Sequence, residues 1–241
     1  MVELALDMAG AGGAVALRFG ATLDQVLARE LDVGPGRGEA VFDLLDELFD
    51  DAGVDIQSLS SVICTVGPGS FTGVRVGVAL AKGLALASGA DLLGVPRTLV
   101  VGRRALTMND WPHEGAVFVS LLNAGRGGVF VQLCALKQCA KERGEMQVVG
   151  EPQLIPLDEL EFFAAQHKVG VFGGPEPLDV LLEGGVCLPK AISYRHVPIA
   201  AEDLWLVDAP FLLRGGEVNP LYVRLPDAKV QEGFAIDRRT P

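Results

Sequence analysis

The sequence holds only three histidines, His113, His167 and His196, none four residues from another, and four cysteines, Cys64, Cys134, Cys139 and Cys187, with no C-x-x-C pair. That scarcity leaves no cluster of nitrogen and sulfur ligands for zinc or iron, so no metal site is expected. Three catalytic motifs are also missing: a G-x-S-x-G elbow, a Lys-Ser/Thr after the glycine-rich loop, and a G-x-G-x-x-G between strand and helix. Their absence removes the serine hydrolase, P-loop and dinucleotide readings, and neither a catalytic residue nor a cofactor is assigned. Basic residues are in short supply, 20 Lys and Arg against 31 Asp and Glu, for a formal net charge of -11. A chain so acidic does not grip a phosphate backbone alone, so any RNA would have to be held by a partner. The unpaired cysteines and the Met-Val-Glu-Leu start, which lacks a cationic leader, predict the reduced cytoplasm. The longest apolar stretch, residues 74–90, is broken by Arg75 and Lys82 and is rich in Gly and Ala, so no membrane span is expected.

What is there is the composition of an ordered α/β protein: 241 residues, 49% hydrophobic and 21% charged, with 30 glycines. Residues 4–6 and 14–19 read as two strands around Asp7-Met-Ala-Gly-Ala-Gly-Gly13, a hairpin. From residue 39 to 52, Val41, Leu44, Leu45, Leu48, Phe49 and Ala52 recur at helical spacing, with Asp43, Asp46, Glu47, Asp50 and Asp51 on other faces, until Gly53. Residues 59–66 predict a buried strand, Gly67-Pro-Gly-Ser-Phe-Thr-Gly73 a turn, the residues to Gly89 a helix, and residues 92–95 a short strand. A second hairpin, residues 117–122 and 129–136 around Asn123-Ala-Gly-Arg-Gly-Gly128, echoes the first and hints at duplication. Helices are expected at 157–166, about 177–183 and about 200–213, and a strand at 169–172.

Three places could carry function. The loop of Gly67, Pro68, Gly69, Ser70, Phe71 and Thr72 can cradle an anion at a helix N-terminus, or be a tight connection capped by Ser70 or Thr72. In the helix that follows, Gly73, Gly77, Ala81, Ala85 and Gly89 form a smooth stripe, either against the chain's own sheet or at a subunit interface. Asp7 can hold a metal-bound water or a phosphate-linked magnesium, though Met8, Ala9 and Gly10 beside it offer no hydroxyl, or it can cap its turn; Asn123, at the matching point of the second hairpin, lacks the charge for a two-carboxylate magnesium site.

The run Gly67-Pro-Gly-Ser-Phe-Thr-Gly-Val-Arg-Val-Gly-Val-Ala-Leu-Ala-Lys-Gly-Leu-Ala85, followed by Leu93-Gly-Val-Pro96, resembles the signature of the TsaB family, formerly YeaZ. The Leu-Ala-Leu-Asp7 start, Asp51-Ala-Gly53, the hairpin at Asn123 and Pro220-Leu-Tyr-Val-Arg224 extend the resemblance over most of the chain. The resemblance implies a two-lobed actin/hexokinase/Hsp70-like (ASKHA) α/β fold with a degenerate nucleotide site, of which Asp7, Gly10 and Asn123 would be the vestige. Residues 1–100 would form a partner-binding lobe with 199–226 packing back on it, 101–198 the second lobe, and 227–241 a flexible tail. It also implies a non-catalytic subunit that pairs with its paralogue TsaD as a heterodimer. That complex, joined by the ATPase TsaE and receiving tRNA, puts threonylcarbamoyl on N6 of adenosine 37 in tRNAs reading ANN codons (t6A). The interface implied is the two helices of the first lobe, through Val41, Leu45, Leu48, Gly73, Arg75, Val76, Gly77, Leu80, Ala81 and Leu84. The alternatives are a glycoprotease-like or ATP-dependent enzyme of the same fold, and a homodimer through the same stripe when the partner is absent. The sequence departs from the family at Met8 and Ala9, where Thr or Ser is common, at Arg37 or Gly38 in place of a histidine, and at Asn123, Gly125, Gly128 and Phe130.

Overall fold

A computed structural model describes residues 1–10, 12–31, 40–108, 117–137, 145–177, 179 and 193–223. The opening hairpin forms as the alternation predicts: β1 (Val2–Asp7) and β2 (Gly13–Phe19) pair antiparallel with Leu4 opposite Leu17. A third strand, β3 (Gln25–Leu31), extends the meander. It is an edge strand with mostly exposed side chains, so it lacks the apolar alternation by which a strand is read. Next come the acidic helix α1 (Ala40–Ala52), strand β4 (Leu59–Gly67) parallel to β1, helix α2 (Phe71–Ser88), and strand β5 (Asp91–Pro96) parallel to β4. Ser70 caps α2, its Oγ accepting from the Gly73 N–H at 3.2 Å, and Gly89 closes it at φ 74°.

Alternation along the strands divides the core. Leu4, Leu6, Val62, Cys64 and Val66 join Val41, Leu45 and Leu48 of α1 and Val74, Val78, Ala81 and Ala85 of α2 in one buried cluster. Ala5, Ala16, Ile63 and Val95 belong to the cluster on the other face, where a helix that the sequence pattern does not predict lies: α3 (Arg97–Thr107). Its Leu99, Val100, Val101 and Ala105 also meet Phe118, Leu122, Cys134 and Val171 from the second sheet, so α3 is packed between the two. Gly102 lets it come close, since a Cβ there would stand 2.9 Å from Met146 Sδ and 3.2 Å from Cys134 Sγ. The eleven residues of α3 include Arg97, Arg103 and Arg104, and two of these, Arg97 and Arg103, are buried together with its apolar side chains.

The second sheet is built from β6 (Val117–Gly125), β7 (Gly128–Lys137), β8 (Glu145–Pro156), β9 (Val169–Gly174) and β10 (Ser193–His196), with α4 (Leu160–His167) between β8 and β9. The spatial order β8-β7-β6-β9-β10 matches the β3-β2-β1-β4-β5 of the first sheet: an antiparallel meander, then two parallel strands. This repeated topology agrees with the duplication at which the echoing hairpins hint, and it is the two-lobed actin-like α/β architecture that the family resemblance implies.

The helix expected at 200–213 is not an α-helix. Residues Ala201–Leu206 and Ala209–Phe211 form two 3-10 turns and strand β11 (Leu213–Arg214) follows, pairing with β5. Pro210 explains the break, lacking an N–H and clashing with a preceding α-turn. The returning chain lies on the first sheet, the Leu221 N–H donating to the Val66 carbonyl at 2.7 Å. Most of the helix expected at 177–183, and the whole tail at 227–241, fall outside the described residues. Among the described residues α2 alone has the length and apolarity to cross a bilayer. Its inner side is buried on the sheet and its Lys82 donates to Asn219 Oδ1 at 2.9 Å, as befits a core helix.

Candidate functional site

The glycine-rich loops after β1 and β4 meet each other. The Ser70 N–H donates to the Ala9 carbonyl at 2.9 Å. A Cβ on Gly69 would stand 2.1 Å from that carbonyl oxygen, and one on Gly73 would stand 2.0 Å from the Met8 oxygen. Glycine is required here because the chain's own backbone makes the close approach. Of the two capping candidates, Ser70 makes the bond and Thr72 is exposed.

Asp7 is engaged on both oxygens. Oδ1 accepts from the Thr65 hydroxyl at 2.8 Å and the Ala9 N–H at 3.1 Å, and Oδ2 accepts from Arg97 Nε at 3.0 Å. The cation beside Asp7 is therefore a side chain of α3, missed from the sequence because it lies 90 residues away. Gly10 backs onto the same guanidinium, a Cβ there falling 2.9 Å from Arg97 Nη2. Asn123 is exposed and caps its own turn, its Oδ1 accepting from the Gly125 N–H at 2.7 Å. The thiols of Cys64 and Cys134 are pushed up to about 12 by burial. Among the described residues no group of His, Cys, Asp and Glu is arranged to hold a metal.

The expected interface divides in two. Val41, Leu45, Leu48, Gly77 and Ala81 are buried inside the first core, and a Cβ on Gly77 would touch Met8 Cβ at 2.9 Å. This corrects the stripe: a face already packed on its own sheet cannot meet another subunit. Gly73, Val76, Leu80 and Leu84 are half-buried, and Arg75 is exposed. The outward surface carries residues that the sequence pattern does not single out for it. Leu86 is 88% exposed, Phe42 56% and Tyr222 50%. Arg75 stacks over the Phe71 ring at 3.6 Å, and its Nε donates to the Tyr222 hydroxyl at 2.8 Å, joining α2 to the C-terminal segment. For Leu86 the signal was an outer position of α2 between the stripe residues, legible only once the inner face is known.

A family model described as tRNA N6-adenosine threonylcarbamoyltransferase, TsaD, matches residues 38–186. The tRNA threonylcarbamoyladenosine biosynthesis protein TsaB of Bacillus subtilis is 32% identical over 127 residues, 53% of this chain and 51% of that protein. The chain thus spans about half the length of that relative. Escherichia coli TsaB is 28% identical over 199 residues, 77% of this chain and 80% of that protein. Among solved structures, YeaZ from Pseudomonas aeruginosa shares the fold, with a TM-score of 0.68 at 23% identity over 92% of this chain and 99% of that one. The family match covers more than half of the chain, and together with the TsaB relatives it makes this chain a member of the tRNA N6-adenosine threonylcarbamoyltransferase family, on its TsaB (YeaZ) branch.

Proposed function

We propose that this chain is a non-catalytic scaffold subunit of tRNA threonylcarbamoyladenosine (t6A) biosynthesis that pairs with TsaD in the cytoplasm. It supports transfer of threonylcarbamoyl to N6 of adenosine 37 and meets TsaE and tRNA only within the complex. The names of the two TsaB relatives support the process. The observation that carries the scaffold reading is the outer surface of α1 and α2, where Phe42, Phe71, Leu86 and Tyr222 are each about half exposed or more. Single exposed apolar residues are ordinary, but four of them on α1, α2 and the C-terminal segment tied to α2 through Arg75 suit a partner. Its charges suit a structured contact as well: Arg75 and Lys82 stand on α2, while Asp43, Asp46 and Glu47 stand on α1. The match to a transferase family favours an enzyme as the second reading. Against it, Asp7 is held by Thr65, Ala9 and Arg97 of this chain, and among the described residues no nucleophile and base stand together beside it.

The test mixes the purified chain with TsaD of the same organism and measures the product by size exclusion with light scattering. A 1:1 complex, lost in Leu86→Arg while its circular dichroism stays intact, is the expected result. Leu86 is the better probe than Gly77, whose substitution would damage the chain's own packing. No complex at micromolar concentration would overturn the reading, as would threonylcarbamoyl transfer by this chain alone. Self-association through the same face in the absence of TsaD would be a homodimer that TsaD displaces.

A further inference from the structure

Arg97 sits where a cation is disfavoured. It opens α3, at the positive end of the helix dipole, and only 8% of it is exposed. On the first-sheet side its Nε is bound by Asp7. On the second-sheet side it faces Glu176, two residues past β9. The Asn123 N–H of β6 and the Glu176 N–H donate to the Glu176 carboxylate, and the charges of Arg97 and His196 favour its ionised form. The turn is fastened to β10 as well: the Tyr194 hydroxyl donates to the Glu176 carbonyl at 2.6 Å, and His196 Nε2 lies 2.9 Å from the Pro175 carbonyl oxygen. Yet Oε2 of Glu176 is buried without a hydrogen-bond partner. The Arg97 charge therefore acts on two carboxylates, a fully bonded one from the first sheet, which it contacts, and an under-bonded one beyond β9.

We propose that Asp7, Arg97 and Glu176 form a proton-controlled joint between the two sheets, closed when Glu176 is protonated and loosened on the Glu176 side when it is ionised. The reason is solvation. A buried carboxylate oxygen with no donor is poorly tolerated as an anion, and swinging the 175–176 turn outward hydrates it. Burial pushes the Glu176 carboxyl above its ordinary range, outweighing Arg97 and the N–H donors. A carboxyl raised in the folded state stabilises the closed form below its ordinary value, and that contribution is lost as pH rises through the folded value. The Asp7 end stays fastened, because its three donors are in place. The joint is independent of pairing with TsaD and is read on the chain alone.

Hydrogen exchange of the full chain, followed upward from about pH 4 to 8 and corrected for intrinsic rates, tests it, with His196→Gln as a control for the neighbouring imidazole. Protection of peptides covering 173–177 and 193–197 is expected to fall as pH rises, about tenfold for each pH unit by which the closed form holds the Glu176 proton beyond an ordinary glutamate. The fall should persist in His196→Gln and vanish in Glu176→Gln, while the β1–β2 peptides change in neither. Flat protection in the wild type, or the same fall in Glu176→Gln, would overturn the joint. Should Glu176→Gln fail to fold, carbon NMR of the wild-type carboxyl decides: titration in the ordinary glutamate range refutes the proposal.

Discussion

At the scale of single residues, the decisive feature is the buried Asp7–Arg97 pair, with side chains 6% and 10% exposed. Removing Asp7 takes from the buried Arg97 the only carboxylate that it directly bonds among the described residues, and breaking such a pair costs about 3–5 kcal/mol. Asp7→Ala is therefore expected to lower the unfolding free energy by that amount in urea titrations. The double change Asp7→Ala with Arg97→Met should recover part of the loss, because no charge is then stranded. A loss in the double variant equal to the sum of the singles would show that the two side chains are not coupled. Asp7 was legible in the sequence as the polar end of an apolar strand, and its turn-capping bond to Ala9 is what that position suggests. Arg97 was not, since no local pattern reports a partner on a helix that itself escaped notice. The cysteines make a second residue-scale prediction. With thiols pushed up to about 12, Cys64 and Cys134 should resist iodoacetamide at pH 8 in the native protein and react after denaturation, as mass spectrometry of the peptides will show.

Among the elements, α2 joins two surfaces of opposite character, and two of its glycines separate them. Gly73 faces inward, where a Cβ would stand 2.0 Å from the Met8 oxygen; Gly83 faces outward with nothing within 4 Å. Gly73→Ala is expected to destabilise the fold severely, because backbone must move. Gly83→Ala should stabilise by about 1 kcal/mol through helix propensity alone. Thermal melts of the two variants check both signs, and a stabilising Gly73→Ala would refute the packing described. The four-residue spacing of small side chains was plain in the sequence, but spacing cannot say which body fills the groove. Helix α1 was readable because burial on one side writes a period into the chain, and β1, β4 and α2 were readable as apolar runs bounded by glycine turns. Elements in other settings were not: β3 is an exposed edge, α3 is enclosed between two sheets, and the Ala201–Leu206 turn is short and ends ahead of Pro210.

For the molecule as a whole, the question is whether two sheets of like topology make two folding units. A boundary at residue 100, expected from the two-lobed resemblance, falls inside α3, and the core around α3 draws Ala5, Ile63 and Val95 from one sheet and Phe118, Leu122 and Val171 from the other. The segment after β10 binds the halves a second time, with Leu204 and Val207 in that core and Val218 in the core under α1 and α2. Neither half can open without exposing apolar surface of the other, and shared burial of this kind makes unfolding cooperative. Differential scanning calorimetry should therefore show one transition, with calorimetric and van't Hoff enthalpies agreeing at on the order of 160 kcal/mol near 60 °C. Two independent lobes would instead give a van't Hoff enthalpy about half the calorimetric one, or two separate peaks. Phe118→Ala probes the same point, removing a fully buried ring from the shared core. It should cost about 3–5 kcal/mol and lower the single transition intact. A transition that split, with one half melting at the wild-type temperature, would mean that the sheets fold separately and that α3 only lies between them.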